Sequence, residues 1–400
     1  MRGAHRGQAE VDVVDRVLDI VAAADEQERR RGTVQPPLVR QRQSIGTLTN
    51  SVVEGAEAIP LPPPGPARPG PDGPDGPDGR GRGRGRGHDG AMRIDCHAHV
   101  HPPAYRAALG DAPLPPMALA DLEASMERHE IDAAILSTGP PGAFAGPGAD
   151  PQDLARRAND GLAEIVHGRP ARFAGVGTLP LPDLAAALAE LDRIYDELHL
   201  DGVMLLTNIA GTYLGDPAWE PLFAALGERG AYVFIHPGLP PHPAPLPHPV
   251  WLYEFPFETV RAVANLIYTG TLERHPSIRF QLSHLGGAAP FLAHRLASLA
   301  DREPAQAAEA PAGALEYLGR LYYDTGLSNH APGVVATREV TALAHIVFGT
   351  DWPYAALPPE GGDPAPGLSA ALSAEERATV EFANVGALVP RLTAAPSRPS

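Results

Sequence analysis

The chain reads as an α/β protein, a (β/α)8 barrel of the TIM type preceded by an N-terminal extension. Three observations predict this. From Arg93 onward, short apolar runs alternate with helix-period segments. The alternation repeats eight times over about 300 residues, the usual size of such a barrel. Four of the apolar runs, the first, fifth, sixth and eighth, end in a residue able to bind a metal: Ile94-Asp95-Cys96-His97-Ala98-His99, Tyr232–His236, Arg279–His284 and Ile346–Asp351. The competing architecture is an open doubly wound sheet. Only a closed ring brings the ends of the first, fifth and eighth strands to one centre.

Strands are expected at 93–99, 132–138, 173–179, 202–207, 232–236, 279–284, 321–326 and 346–351, each short and apolar as in a buried parallel sheet. Helices are expected at 119–130, 150–167, 182–198, 217–229, 257–274, 288–302, 333–344 and 373–388. Asp150-Pro151 and Asp216-Pro217 are start signals, and Ser373 followed by Glu376 has the form of a capping box. The barrel domain is expected to run from 92 to 392, with 393–400 a disordered tail.

Residues 1–91 differ in composition. Val11 to Ala24 can form an amphipathic helix carrying Val14, Val17, Leu18 and Val21, and 60–90 are Pro-rich and then Arg-Gly-rich. The extension is read as disordered or partly helical, and the Arg-Gly tract as a solvated linker rather than an RNA-binding arm. Met92 directly precedes the first barrel strand and is a possible start of the mature protein, without the extension.

Charge and composition narrow the function. The net charge of −16 disfavours a nucleic-acid partner, because phosphate contacts need clustered positive charge. One cysteine, Cys96, allows no internal disulfide and suits a reducing, cytoplasmic compartment. No apolar run reaches the ~20 residues of a membrane span, and the first residues lack the apolar core of a signal peptide. All 32 basic residues are arginine. That excludes Schiff-base and P-loop lysines, and a carboxylated lysine bridging two metals, so one cation is favoured over two.

In an alternating strand, His97 and His99 point one way and Cys96 the other, toward the helical layer. Cys96 is then a packed apolar residue. His97, His99 and His236 offer neutral nitrogens and Asp351 an anionic oxygen. Zinc accepts such a set and keeps a position open; manganese or iron can also use it. Asp95 is expected to orient a histidine from one layer below. His284 is expected to stand off the cation and transfer protons. Each residue also has an ordinary structural role open to it, His236 as a strand end, His284 and Asp351 as helix or turn caps; it is their coincidence at four strand ends that points to a metal. His101 is a candidate pocket residue. Of the remaining histidines, His242 and His248 in a Pro-rich loop and His275, His294 and His345 on or near helices are read as structural or solvent-exposed.

These residues resemble the metal-dependent amidohydrolase superfamily, in its aminocarboxymuconate-semialdehyde decarboxylase-like branch, which includes 6-methylsalicylate and γ-resorcylate decarboxylases. The resemblance spans Arg93 to Leu392. It rests on Ile94–His99, Arg172–Pro180, Tyr232–Pro237, Phe257-Glu258-Thr259, Ser283–Gly287 and Gly349–Pro353. It implies a divalent metal, zinc first and manganese second, on His97, His99, His236 and Asp351, with His284 beside the bound water. The loop 100–118 offers only Arg106 as a substrate-clamping arginine, which favours a small aromatic carboxylate over a muconate semialdehyde. The resemblance implies non-oxidative decarboxylation, with the proton delivered by Asp351 or with the help of His284, and a homo-oligomer. The alternative is an amidohydrolase or lactonase using the same site; a non-catalytic barrel with a binding arm is a third possibility, disfavoured by the intact ligand set.

Overall fold

A computed structural model of the chain describes residues 92–394, except 111, 113 and 145–148. The expected helix at 11–24, the Arg-Gly segment and the last six residues lie outside the described residues. No helix among the described residues is long and apolar enough to cross a membrane.

Eight parallel strands follow one another around the sheet in chain order. They are β1 (Ile94–His99), β2 (Ala133–Ser137), β3 (Phe173–Thr178), β4 (Gly202–Leu206), β5 (Tyr232–His236), β6 (Arg279–Leu282), β7 (Tyr322–Asp324) and β8 (Ile346–Val347). The ring closes between the end of β8 and β1. Cys96 N donates to the Phe348 carbonyl at 2.8 Å, Asp351 N to His97 O at 2.7 Å and His99 N to Trp352 O at 3.0 Å. These bonds exclude the open sheet and deliver Asp351 to the first strand.

Helices cover the outside because their sequences are apolar on one face only. In α1 (Pro151–Gly168) the stripe Leu154, Ala155, Ala158, Leu162, Ala163 and Val166 is buried. Asp150 caps this helix by accepting from Gln152 N at 3.0 Å, and Pro151 occupies its first turn. The capping box forms as read: Ser373 and Glu376 bond reciprocally at the start of α2 (Ala374–Glu381). The sequence reading missed a helix at Ala314–Arg320 and a small hairpin pairing Asn208–Ile209 with Thr212–Tyr213.

Two expectations need correcting. The ladder of the eighth strand holds only Ile346 and Val347. The chain beyond it bends toward β1, and Asp351 adopts a left-handed φ of 65°. The alternation of β1 also fails. Its register against β2 slips between Asp95 and Ala98, where three steps on β1 span two on β2. Such a bulge puts adjacent residues on one side. Cys96 therefore packs with Ile94, Ile135, Val176 and Phe234 inside the barrel, not against the helices.

Candidate metal centre

The bulge and the closing turn bring four side chains together. Ligand atoms of His97, His99, His236 and Asp351 all lie within 4.8 Å of one another, and all four residues are buried. Each imidazole is oriented through its Nδ1. His97 Nδ1 bonds Asp324 Oδ1 at 3.0 Å, His99 Nδ1 bonds Ser137 Oγ at 2.8 Å, and His236 Nδ1 bonds the Pro237 carbonyl at 2.9 Å. A carbonyl only accepts, so the His236 Nδ1 carries the proton and its Nε2 a lone pair. That Nε2 is buried with no hydrogen-bond partner. His97 Nε2 is likewise without a hydrogen bond, although Asp351 Oδ1 lies 3.0 Å away; the distance is short but the direction does not suit a donor. Asp351 Oδ1 is also 2.9 Å from His99 Nε2. Buried nitrogen lone pairs facing a carboxylate oxygen fit a divalent cation of the zinc or manganese type.

Electrostatics agree with that fit. Burial disfavours a charged His97, but the Asp324 and Asp351 carboxylates outweigh it and push the imidazole up to about 10. A cation at Nε2 takes the place of the proton those carboxylates attract. Burial would raise Asp351, yet His97, His284 and His99 hold it well below the usual carboxylate range. Burial, with the neighbouring histidines, keeps His236 well below the ordinary imidazole value, hence neutral.

His284 stands outside the group of four. Its Nε2 is 3.1 Å from Asp351 Oδ2, the carboxylate oxygen turned away from His97 and His99. It is presented by a tight turn in which His284 and Leu285 both have left-handed φ, 57° and 52°. Non-glycine residues in that region are strained, and here the strain sits beside the site.

The residue orienting His97 is Asp324, at the end of β7, and not Asp95. Asp95 Oδ1 accepts from the backbone N–H groups of His97 at 3.0 Å and Thr350 at 2.9 Å, and Oδ2 from Thr350 Oγ1 at 2.6 Å. It fastens the bulge to the turn carrying Asp351; burial outweighs these bonds and raises it to about 6. Asp324 is in turn held by Gln281 Nε2 at 2.7 Å, and Gln281 Oε1 accepts from Tyr232 at 2.7 Å. The sequence reading missed Asp324, Gln281 and Ser137. The signal for Asp324 was available, an acidic residue near the end of the predicted seventh strand.

His101 is buried, with Nε2 on the Thr138 carbonyl at 3.1 Å and Nδ1 without a partner; burial brings it down to about 4. Arg106 donates to the carbonyls of Gly110 and Ala112 at 3.5 and 3.3 Å. Tyr354, not anticipated, packs edge-on to His99 with centroids 5.9 Å apart. His242 and His248 are exposed, while His275 and His345 bond Glu220 and the Gly319 carbonyl.

A parallel eight-stranded barrel with a three-histidine, one-aspartate cluster at the carboxyl ends of its strands is the architecture of a metal-dependent hydrolase or lyase. The profile of the family described as amidohydrolase matches residues 94–384, and the chain belongs to that family. It is 35% identical over 286 residues to 6-methylsalicylic acid decarboxylase of Penicillium expansum, covering 66% of this chain and 85% of that protein. It is 31% identical over 239 residues to 2-amino-3-carboxymuconate-6-semialdehyde decarboxylase of Dictyostelium discoideum, covering 57% and 65%. Among solved structures it is similar in fold to 5-carboxyvanillate decarboxylase of Novosphingobium aromaticivorans, complexed with manganese and 4-hydroxy-3-methoxy-5-nitrobenzoic acid. That match has a TM-score of 0.65 at 21% identity over 75% of this chain and 96% of the other.

Proposed function

We propose that the chain is a metal-dependent, non-oxidative decarboxylase of a small aromatic or unsaturated carboxylic acid, of the 6-methylsalicylate or aminocarboxymuconate-semialdehyde kind. The observation that carries this reading is the buried convergence of His97, His99, His236 and Asp351 in a chain 35% identical to a 6-methylsalicylic acid decarboxylase. One divalent cation, zinc first and manganese second, would be held by those four residues. When bound it supplies Lewis acidity, drawing in the substrate carboxylate or an adjacent hydroxyl and stabilising negative charge.

The chain's own residues supply the rest. The three histidines would hold the cation through Nε2, with Asp324, Ser137 and the Pro237 carbonyl keeping those rings in place through Nδ1. The Asp351–His284 pair, joined at 3.1 Å, moves the proton. It reaches the carbon that bears the carboxylate, the C–C bond to that carboxylate breaks, and carbon dioxide leaves with no change of oxidation state to be balanced by a redox cofactor. The pair is then reprotonated from solvent through His284, the partner farther from the ligand cluster. His101, with its free Nδ1, and Arg106 are the candidate contacts for the rest of the substrate. The proposal includes a homo-oligomer in the cytoplasm, the former checked by light scattering of the purified protein.

The test is incubation of the metallated protein with 6-methylsalicylate in D2O. Carbon dioxide and a phenol carrying one deuterium at the former carboxyl position support the reading. Opening of a lactone or cleavage of an amide, with water added and no carbon dioxide formed from any aromatic acid, replaces it with the hydrolase alternative.

A further inference from the structure

The ends of β5 and β6 run side by side. Phe234 pairs with Gln281 and Ile235 with Leu282, with no slip in register. Ser283 N continues the ladder by donating to the Ile235 carbonyl at 3.2 Å. Contacts show which residues of this pair point inward. Gln281 Nε2 reaches the Cys96 carbonyl at 3.2 Å and Asp324 Oδ2 at 2.7 Å, and the Phe234 ring lies 4.8 Å from that of His97. Ile235 and Leu282 belong instead to the core shared with helix residues such as Val263 and Leu266. Ser283 is extended, with φ −67° and ψ 156°. Alternation therefore turns His236 and Ser283 inward together, one layer above Phe234 and Gln281.

Ser283 is fully buried, and its Oγ has no hydrogen-bond partner among the described residues. A buried hydroxyl left in that state carries a desolvation cost until something pairs with it. Two imidazole nitrogens of the cluster, His97 Nε2 and His236 Nε2, are also without hydrogen bonds. The divalent cation that the cluster fits accounts for those nitrogens. It does not account for the serine, because a neutral hydroxyl is not among the usual ligands of such a cation. Along the chain, Ser283 is followed by His284, whose ring lies 5.2 Å from that of His97 and 5.6 Å from that of His236. Across the ladder its neighbour is His236 itself. The hydroxyl thus borders both the four-residue cluster and the histidine that moves the proton, where the reacting end of a bound acid must lie.

We infer that Ser283 Oγ binds substrate, donating a hydrogen bond to a carboxylate oxygen of the acid held at the four-residue cluster; this rests on the decarboxylase reading and adds the contact that aligns the reacting end. The bond is strongest before the reaction. As the C–C bond breaks, its electron pair stays with the carbon left behind and the carboxylate becomes neutral carbon dioxide, a poorer acceptor. Ser283 therefore contributes to holding the ground state and not to stabilising the transition state.

The test compares full-length metallated wild type with Ser283→Ala. Calorimetry measures dissociation constants for benzoate, which has no hydroxyl to activate its ring toward protonation, and for phenol, which has no carboxylate. KM and kcat are measured with 6-methylsalicylate. The variant is expected to bind benzoate about tenfold more weakly or worse, the range for a hydrogen bond to a charged group, and to bind phenol as wild type does. KM is expected to rise by a similar factor with no fall in kcat. Because the hydroxyl has no protein partner, the variant without acid is expected to keep its metal and to melt no lower than wild type. Equal benzoate constants in the two proteins, an equal loss for phenol, or a fall in kcat with KM unchanged overturns the inference. So does a lower melting temperature without acid, which would make the hydroxyl structural. Wild type that binds benzoate but releases no carbon dioxide from 6-methylsalicylate counts against the decarboxylase reading alone, and the benzoate comparison still decides on Ser283. Wild type that neither binds benzoate nor turns over 6-methylsalicylate overturns both.

Discussion

Asp324 Oδ1 lies 3.0 Å from His97 Nδ1, so the seventh strand holds a ligand that belongs to the first. The same oxygen accepts the backbone N–H of His284 at 3.1 Å and of Gly326 at 2.9 Å. One carboxylate thus fixes a ring of the four-residue cluster, the backbone of His284 and its own turn at Gly326. It is fully buried, and its ionised form is favoured despite that burial by His97, His284 and Gln281.

Asp324→Asn is therefore expected to weaken metal binding by roughly 10- to 100-fold, the usual effect of losing such an outer partner. The fold should survive, because the amide fills the same space. Competition against a chelator measures the affinity, and circular dichroism checks the fold. An affinity equal to wild type would show that His97 is held by its strand alone.

His284→Ala separates ligand from proton-transfer group. His284 touches the far oxygen of Asp351 and lies outside the four-residue cluster, so the variant is expected to keep most of its metal and lose turnover by 10²-fold or more, the range for a general acid–base group. His97→Ala and Asp351→Ala are expected to lose both metal and activity. Elemental analysis of the three purified variants beside wild type decides; an empty site in His284→Ala would make His284 a ligand.

The barrel and its four-residue cluster were legible because both are written in short-range pattern. Each strand is an apolar run, and each ligand ends one. What was not legible is set by register and tertiary contact. Alternation put Cys96 outside, but the slip between Asp95 and Ala98 turns it inward, and no local composition marks a bulge in Ile94–His99. Asp95 shared a face with His97 on paper; the same slip separates them, and Asp95 serves Thr350 instead. Asp324 stood near the end of the predicted seventh strand, but its bond to His97 joins strands 227 residues apart in sequence, and no local pattern states that pairing.

Gly349→Ala tests the packing of the site without altering a polar group. A Cβ at this position would stand 2.8 Å from His97 Cβ and 3.2 Å from Asp324 Cβ. Both neighbours are rigidly placed, so the ring and its orienting carboxylate must separate. The variant is expected to fold but to bind metal more weakly than wild type by about tenfold or more. Metal titration checks this, and wild-type affinity in the alanine variant would mean that β8 yields instead of His97.

Arg377 supplies a prediction away from the site. It is buried, donates to Glu381 Oε1 at 2.8 Å and to Asp363 Oδ2 at 2.7 Å, and so ties α2 to the loop that follows the Asp351 turn. Arg93, on the strand side, reaches the same Glu381 oxygen at 3.2 Å. Burial alone would raise Asp363, but hydrogen bonds from Arg377 and from Ala365 N outweigh it and hold the carboxyl below its ordinary value. A carboxyl depressed in the folded state contributes stability that is complete above its unfolded value and is lost as pH falls toward the folded one. Wild type is therefore expected to lose thermal stability on going from about pH 6 to pH 3, and Asp363→Asn to lose less over that interval. Arg377→Met removes one partner from a largely buried pair and leaves Glu381 with less compensation, at a cost of about 3 kcal/mol. Thermal melts of the three proteins across that pH range measure both effects, and parallel curves for wild type and Asp363→Asn would remove Asp363 from the acid response.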